Sequence, residues 1–406
     1  MLKLPNNSWV WLLALYTAAS LVETLFWSQV NAFTPLYLPR LGVAREDVTA
    51  WTGALVSISS TIGIPLLPLW GALADRYTRK PVIVRSFLAH LVAGVICVLA
   101  PNVWLFLVGR TVMSFALGNS GLMMTTLSER VPRARVGFAY SLFNGAAPVG
   151  AFVGPLLGGP IVDGFGFPAL LALDAVLMAI VIGVLWLGYD DAYRASSSES
   201  VLSMAVGSLG IIWRSPRLRG LFPALFILFS GWILAFVYVP LVVTSLYRGP
   251  DPGTVVGVVI GTGGLSALVL SPALGALADR YGHWRVLYAG GALATVLWPL
   301  PALTTDLAVF TVLFALLNGV VSAVFALSFT VLASSTEERT RGRVMSFAYL
   351  PANLGFAVGP AIGTAVARFG LTLVFPIAAV LTALGVGALY LAERRGPPAV
   401  AVASTA

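Results

Sequence analysis

The sequence predicts an all-α membrane protein: twelve transmembrane helices in two pseudo-symmetric six-helix bundles. Three observations predict it. Hydrophobic residues make up 58% of the chain and charged residues only 10%, too little charge for a soluble surface of this size. Apolar stretches of about 20 residues, the length that crosses a bilayer core as a helix, recur throughout. Continuous helices are expected because lipid leaves no water to satisfy the backbone, and the alternation of a membrane barrel is absent. The string GALADRY occurs twice, at Gly71–Tyr77 and Gly275–Tyr281, 204 residues apart in a 406-residue chain and each time between apolar runs. Such an internal repeat builds two similar membrane halves that can rock around a site at their interface.

The elements follow in order. Span 1 covers 9–38; it is too long for a signal peptide and lacks a small-residue cleavage site, so it is read as retained. Span 2 (50–73) runs into the first GALADRY copy. Spans 3 (82–100) and 4 (103–125) are separated by Pro101-Asn102. Span 5 (137–161) is rich in glycine and proline, and span 6 covers 168–188. The longest polar stretch follows, from Gly188 to Arg219, with Asp190, Asp191 and the run Ser196-Ser197-Ser198-Glu199-Ser200. It reads as a linker, in which Val201–Trp213 suits a short helix on the membrane surface. Spans 7 to 12 cover 219–247, 254–277, 286–303, 307–333, 344–367 and 371–391. The expected division is a first bundle at 1–188, a linker at 189–218, a second bundle at 219–392 and a tail at 393–406.

The charge pattern fixes the expected orientation. With the N-terminus in the cytoplasm, nineteen basic residues fall on cytoplasmic segments and four on the opposite side, with Arg110 inside a span. This asymmetry places both termini in the cytoplasm of an inner-membrane protein and accounts for the net charge of +8 without a nucleic-acid partner. A lone cysteine, Cys97, excludes an internal disulfide, and His90 and His283 are the only histidines. There is no metal-ligand cluster, no phosphate-binding Gly-Lys-Ser/Thr loop and no nucleophile–base set, which argues against a metal site, an ATP-driven pump and an enzyme. No cofactor is expected.

The first repeat extends through Gly71, Leu73, Ala74, Asp75, Arg76, Thr78, Arg79 and Lys80. It resembles the signature loop of the major facilitator superfamily between spans 2 and 3, G-x-L-A-D-R-x-G-R-K, with Thr78 in place of the family's glycine. The second copy, between spans 8 and 9, keeps Gly275, Leu277, Asp279, Arg280 and Gly282, with His283 and Trp284 where the basic pair would stand. Span 5 carries Gly150, Gly154, Pro155, Gly158 and Gly159, similar to the glycine-proline signature of the superfamily's antiporters, with Ser141 at its first glycine position. Span 11 repeats part of this as Gly355, Gly359, Pro360 and Gly363. Glycines four apart let helix backbones approach, and proline bends the helix, so close packing in any membrane bundle would also account for them. The span count, loop positions and repeat resemble the superfamily over essentially the whole chain, and the run Trp51–Lys80 followed by Pro101–Arg110 looks like its twelve-span drug:proton antiporters. The resemblance implies the major facilitator fold and a gating role for Asp75, Arg76, Arg79, Asp279 and Arg280.

Three charges lie inside spans: Glu23, Arg110 and Asp174. Each costs about 2.5–3.5 kcal/mol to insert, which makes each a functional candidate. Rise per residue puts Glu23 about 21 Å along span 1, and Arg110 and Asp174 about 9 Å in from the other surface, so the three are expected to share one layer. Glu23 is the expected proton site, with Arg110 tuning it; Arg110 also matches the basic residue of span 4 in many proton-coupled members. Asp174 is the weaker candidate, because span 6 usually lies at a bundle's edge. Tyr16, Ser20, Glu23, Trp27 and Asn31 recur every three or four residues and form one face of span 1. Facing it, Phe222, Phe226, Phe229 and Phe236 of span 7 and Phe314 and Asn318 of span 10 are expected to complete a substrate wall. Aromatic rings around one acid suit lipophilic cations; equally, any one phenylalanine could face lipid or a neighbouring helix.

The expected activity is therefore proton-coupled export of amphipathic, often cationic compounds by alternating access, through a monomer whose partners are the small molecule, protons and the bilayer. The same wall would suit a lipid or glycolipid exporter. A sugar transporter fits less well, because a hydrophilic substrate needs more hydrogen-bonding groups. A membrane sensor or scaffold would tolerate loss of Glu23, but no signalling domain is evident.

Overall fold

The structure, a computed structural model, describes residues 8–66, 78–116, 118–188, 210, 212–337, 340, 344–345 and 347–395. Its helices in chain order are α1 (Trp9–Tyr37), α2 (Val48–Gly63), α3 (Arg79–Leu99), α4 (Val103–Met113), α5 (Asn119–Arg130), α6 (Val136–Phe165) and α7 (Phe167–Gly188). There follow α8 (Pro216–Phe236), α9 (Val239–Leu246), α10 (Pro252–Tyr281), α11 (His283–Leu297), α12 (Leu307–Ser334), α13 (Leu350–Ala367) and α14 (Val374–Arg394). Side-chain caps set several starts. Ser8 accepts from the Trp11 N–H, Asn102 from Leu105, Ser215 from Leu218 and Asp306 from Val309, each satisfying an otherwise orphaned donor.

Ten stretches among the described residues are long and apolar enough to cross a membrane. The other two expected spans are α2, followed by residues outside the described set, and span 4, which is broken. Helix α4 passes into a 3-10 turn at Ser114–Ala116, and α5 restarts at Asn119 behind Gly118, whose φ of 96° favours glycine. Expected span 7 is likewise divided into α8 and α9. The second GALADRY copy is not a turn but the helical end of α10, which stops at Gly282 with φ 98°. The first copy, the proposed surface helix except for its last residues, and the C-terminal tail after Arg395 lie outside the described residues.

Before residue 189, α1 packs on α6 and α7, and α3 on α4 and α7. After it, α8 packs on α13 and α14, α10 on α12, and α11 on α12 and α14. Two seams join these groups: α6 against α10, and α2 against α13. Large apolar side chains such as Leu99, Trp104, Leu187 and Val312 are exposed on the outside, as a lipid-facing surface requires.

Among the described residues, three basic side chains near helix ends meet tryptophans. Lys80 lies over the Trp186 ring and donates to the Trp186 carbonyl at 2.7 Å; Arg135 lies over Trp9 and Arg217 over Trp284. Trp11 Nε1 donates to the Gly188 carbonyl at 2.7 Å. Amphipathic rings paired with cations are what a membrane–water interface selects.

Candidate proton and substrate site

Glu23 sits in the middle of α1, and the break in span 4 supplies its partner. Asn119, at the first position of α5, donates from Nδ2 to Glu23 Oε2 at 2.8 Å. From α3, His90 Nδ1 stands 3.9 Å from Glu23 Oε1, beyond hydrogen-bond reach but within range of an ion pair. His90 is buried, packs edge-on against Phe26, and its Nδ1 has no hydrogen-bond partner among the described residues. Glu23 keeps 17% of its side chain accessible in an otherwise enclosed site. An interrupted helix beside a buried charge is a recurrent way for membrane transporters to present polar groups in the bilayer.

The three embedded charges, expected to share one layer, have separate surroundings. Arg110 is buried and donates from Nη2 to Asn31 Oδ1 at 3.0 Å, two turns beyond Glu23 on α1, and its other guanidinium contact is Met113 Sδ at 3.7 Å. Asp174 is 1% exposed, and its Oδ2 has no partner among the described residues. Counting helical rise assigned similar depths but carried no information on azimuth, and azimuth decides partners.

The span 1 face divides. Tyr16 and Ser20 are buried, Asn31 is tied to Arg110, and Asn31 Nδ2 donates back to the Trp27 carbonyl at 2.8 Å. Trp27 remains 37% exposed and meets Phe356 of α13 edge-on at 5.4 Å, so it bridges the two groups of helices one turn from Glu23. The opposite wall is mostly packed in this structure. Phe229 and Phe314 are 2% exposed. Phe229 packs on Phe325 and Phe329, and Phe314 on Phe310 and Phe236. Phe222 is also buried, whereas Phe226 and Phe236 are half-buried. Asn318 donates to the Gly263 carbonyl at 2.8 Å, stapling α12 to α10. The aromatic stripe of α8 thus packs within its own group of helices, because α8 is flanked by α12, α13 and α14. A small cavity survives there, lined by Phe229, Trp232, Trp298, Phe325 and Thr382 among others.

The glycine-proline segment of α6 serves two faces. On one, Gly150, Gly154 and Gly158 lie against α1: Gln29 Nε2 donates to the Gly154 carbonyl at 2.9 Å, and Ser28 Oγ approaches the Gly150 carbonyl at 3.3 Å. On the other, Gly159 meets α10, where an added Cβ would fall 2.6 Å from the Gly253 carbonyl oxygen. Pro155 turns its carbonyl to Gly257. Of the proposed gating residues, Asp75 and Arg76 lie outside the described residues. Arg79 makes a bidentate pair with Glu129 at 2.7 and 2.8 Å, clamping the start of α3 to the end of α5. Among the described residues, Asp279 meets His283, one turn on, and Arg280 lies over neighbouring Tyr281.

A family model, the Major Facilitator Superfamily, matches residues 16–317 and 249–406. The chain belongs to the Major Facilitator Superfamily. Among its relatives, the "Multidrug resistance protein MdtG" of Rahnella sp. (strain Y9602) is 28% identical over 380 residues, 91% of this chain and 90% of that protein. The "Multi-drug resistance efflux pump PmrA homolog" of Lactococcus lactis subsp. lactis (strain IL1403) is 27% identical over 346 residues, 84% of each chain. The fold matches the nucleoside transporter NupG (D323A mutant), with a TM-score of 0.75, 14% identity, and coverage of 95% of this chain and 99% of that one. It also matches the human organic anion transporter MFSD10, with a TM-score of 0.72, 15% identity, and coverage of 95% and 100%. This superfamily member is thus an all-α, multi-pass membrane transporter, as the sequence predicts, and not an enzyme.

His90, Asn119 and Asp163 escaped the sequence reading. Asn119 had a signal, an Asn directly after a glycine inside an apolar span. Asp163 stands one turn after Gly159 on the same helix face. His90 had none beyond its rarity.

Proposed function

We propose that this chain exports amphipathic, often cationic compounds from the cytoplasm in exchange for protons, by alternating access between two six-helix bundles at 1–188 and 219–392. One observation carries the reading: the Glu23 carboxyl, held by Asn119 and faced by His90, in the middle of a membrane helix. Proton binding to Glu23 would remove the charge that attracts a cation, so proton and substrate compete for one site. The similarity to proteins named as multidrug resistance and efflux proteins favours this over lipid or sugar transport. Both termini lie in the cytoplasm, with the basic, tryptophan-rich end facing inward in the inner membrane. Arg110 holds Asn31 and the outer part of α1 in place, and Asp174 serves packing.

The reading is tested in liposomes with an imposed pH gradient. Protein that drives a lipophilic cationic dye against its gradient supports it; movement of lysolipids or sugars instead would replace it.

Trp27→Ala is expected to weaken cation binding about tenfold, because a desolvated cation–π contact is worth up to about 2 kcal/mol. Neutral ligands of similar size should lose less. Dye-displacement titrations in detergent compare the two classes; equal losses would remove the cation–π contribution.

Asp75→Asn should slow turnover more than it weakens binding, because the charge pattern of the sequence assigns the signature loop to the cytoplasmic end. Asp279→Asn should be milder, since its contact is local. Binding and turnover measured on the same preparation separate the two effects, and a large affinity loss with unchanged turnover would contradict the gating role.

A further inference from the structure

Asp163 lies in the last turn of α6, four residues beyond Gly159 and so on the same face. Its carboxylate crosses to the first turn of α10 and takes three hydrogen bonds there. The Gly253 N–H donates to Oδ1 at 2.9 Å, and the Thr254 N–H and Oγ1 donate to Oδ2 at 2.6 and 2.7 Å. These amides belong to the donors a helix start leaves unsatisfied, and the positive end of the 30-residue α10 favours an anion. The approach depends on two residues without side chains. A Cβ on Gly159 would strike the Gly253 carbonyl, and one on Gly253 would stand 2.7 Å from Asp163 Oδ1.

The position of this contact gives it meaning. It joins the two sequence repeats at the end of the molecule away from the basic loops. The second seam closes at the same end: Gly53 of α2 fits against Tyr238 and Thr364, and Tyr238 donates to the Pro360 carbonyl at 2.7 Å. Toward the basic end, the glycines of α6 are not packed in this way. Gly137 and Gly145 have open space where a Cβ would stand, and Phe138 is 61% exposed.

We propose that Asp163 is an interdomain latch, which caps α10 from α6 and holds the end opposite the basic loops closed until the transport cycle breaks all three hydrogen bonds together. The inference rests on the alternating-access reading above but not on any particular substrate. Opening that end separates α6 from α10, returns the carboxylate to water and leaves the first amides of α10 to find other partners. The strength of the latch therefore sets how often that end opens.

The test reads distances in the full-length protein reconstituted in lipid nanodiscs. Spin labels at Leu99→Cys and Leu303→Cys, in a Cys97→Ala background, report the end opposite the basic loops by pulsed dipolar spectroscopy. Both positions are exposed, at 70% and 79%. Asp163→Asn keeps the shape but removes the charge and turns a donor toward a donor. It should raise the long-distance population about tenfold, the effect of losing a charge-assisted hydrogen bond. Thr254→Val removes one donor and should shift it the same way by less; it carries the test if Asp163→Asn does not fold. Unchanged distributions in folded Asp163→Asn and Thr254→Val would overturn the latch. Longer distances in a protein that moves no cationic dye would support the latch while counting against the export reading.

Discussion

Glu23→Gln is expected to abolish uphill, proton-driven export while leaving a folded protein. Glutamine keeps the size of the side chain and can still pair with Asn119, so packing around α1 is preserved. It cannot bind and release a proton. It also removes the negative charge that would attract a cation. The pH gradient should no longer concentrate dye in proteoliposomes, whereas dye equilibration down its own gradient should persist at a reduced rate. Protein yield and melting temperature should match the unmutated chain within a few degrees, since a neutral side chain replaces one that costs about 2.5–3.5 kcal/mol to hold charged in a membrane. Accumulation against a gradient at the wild-type rate would exclude Glu23 as the coupling site.

Much of this arrangement was legible in the sequence because membranes impose strong, one-dimensional rules. Span lengths, the repeated GALADRY string and the one-sided distribution of arginine are properties of the chain itself, and they led to the superfamily to which the chain belongs. What the sequence could not supply was azimuth. Phe229 of α8 and Phe314 of α12 could each face a cavity or a neighbouring helix; in the structure Phe229 packs on Phe325 and Phe329, and Phe314 on Phe310 and Phe236. Arg110 and Glu23 have compatible depths yet different partners for the same reason. The break at Gly118 was hidden by the apolar residues on either side, although it brings Asn119 to Glu23. Asp163 read as a loop residue, and its role depends on a helix ninety residues later in the chain.

Gly257→Val should be among the most disruptive single substitutions in the chain. Gly257 lies on α10 where that helix meets α6, and even a Cβ there would run into the Pro155 carbonyl oxygen. Neither side can yield easily: the obstacle is backbone, on a helix already constrained by Pro148, Pro155 and Pro160. Overpacking against flexible side chains costs about 1–3 kcal/mol, and rigid backbone leaves less room for relief. The variant must either part α6 from α10, losing the seam that closes the end opposite the basic loops, or fail to assemble. Transport should fall about tenfold or more, with a lower melting temperature in detergent. Gly261→Ala should be milder, because its Cβ would stand 3.1 Å from the Phe152 carbonyl, a few tenths of an ångström from comfortable. Gly183→Ala on α7, where no atom lies within 4 Å of the added carbon, should be neutral or slightly stabilising. Melting curves by size-exclusion chromatography and dye transport in proteoliposomes, measured on all three, give the ranking. If Gly257→Val matched Gly183→Ala in both, the close approach of α6 and α10 would not belong to the working cycle.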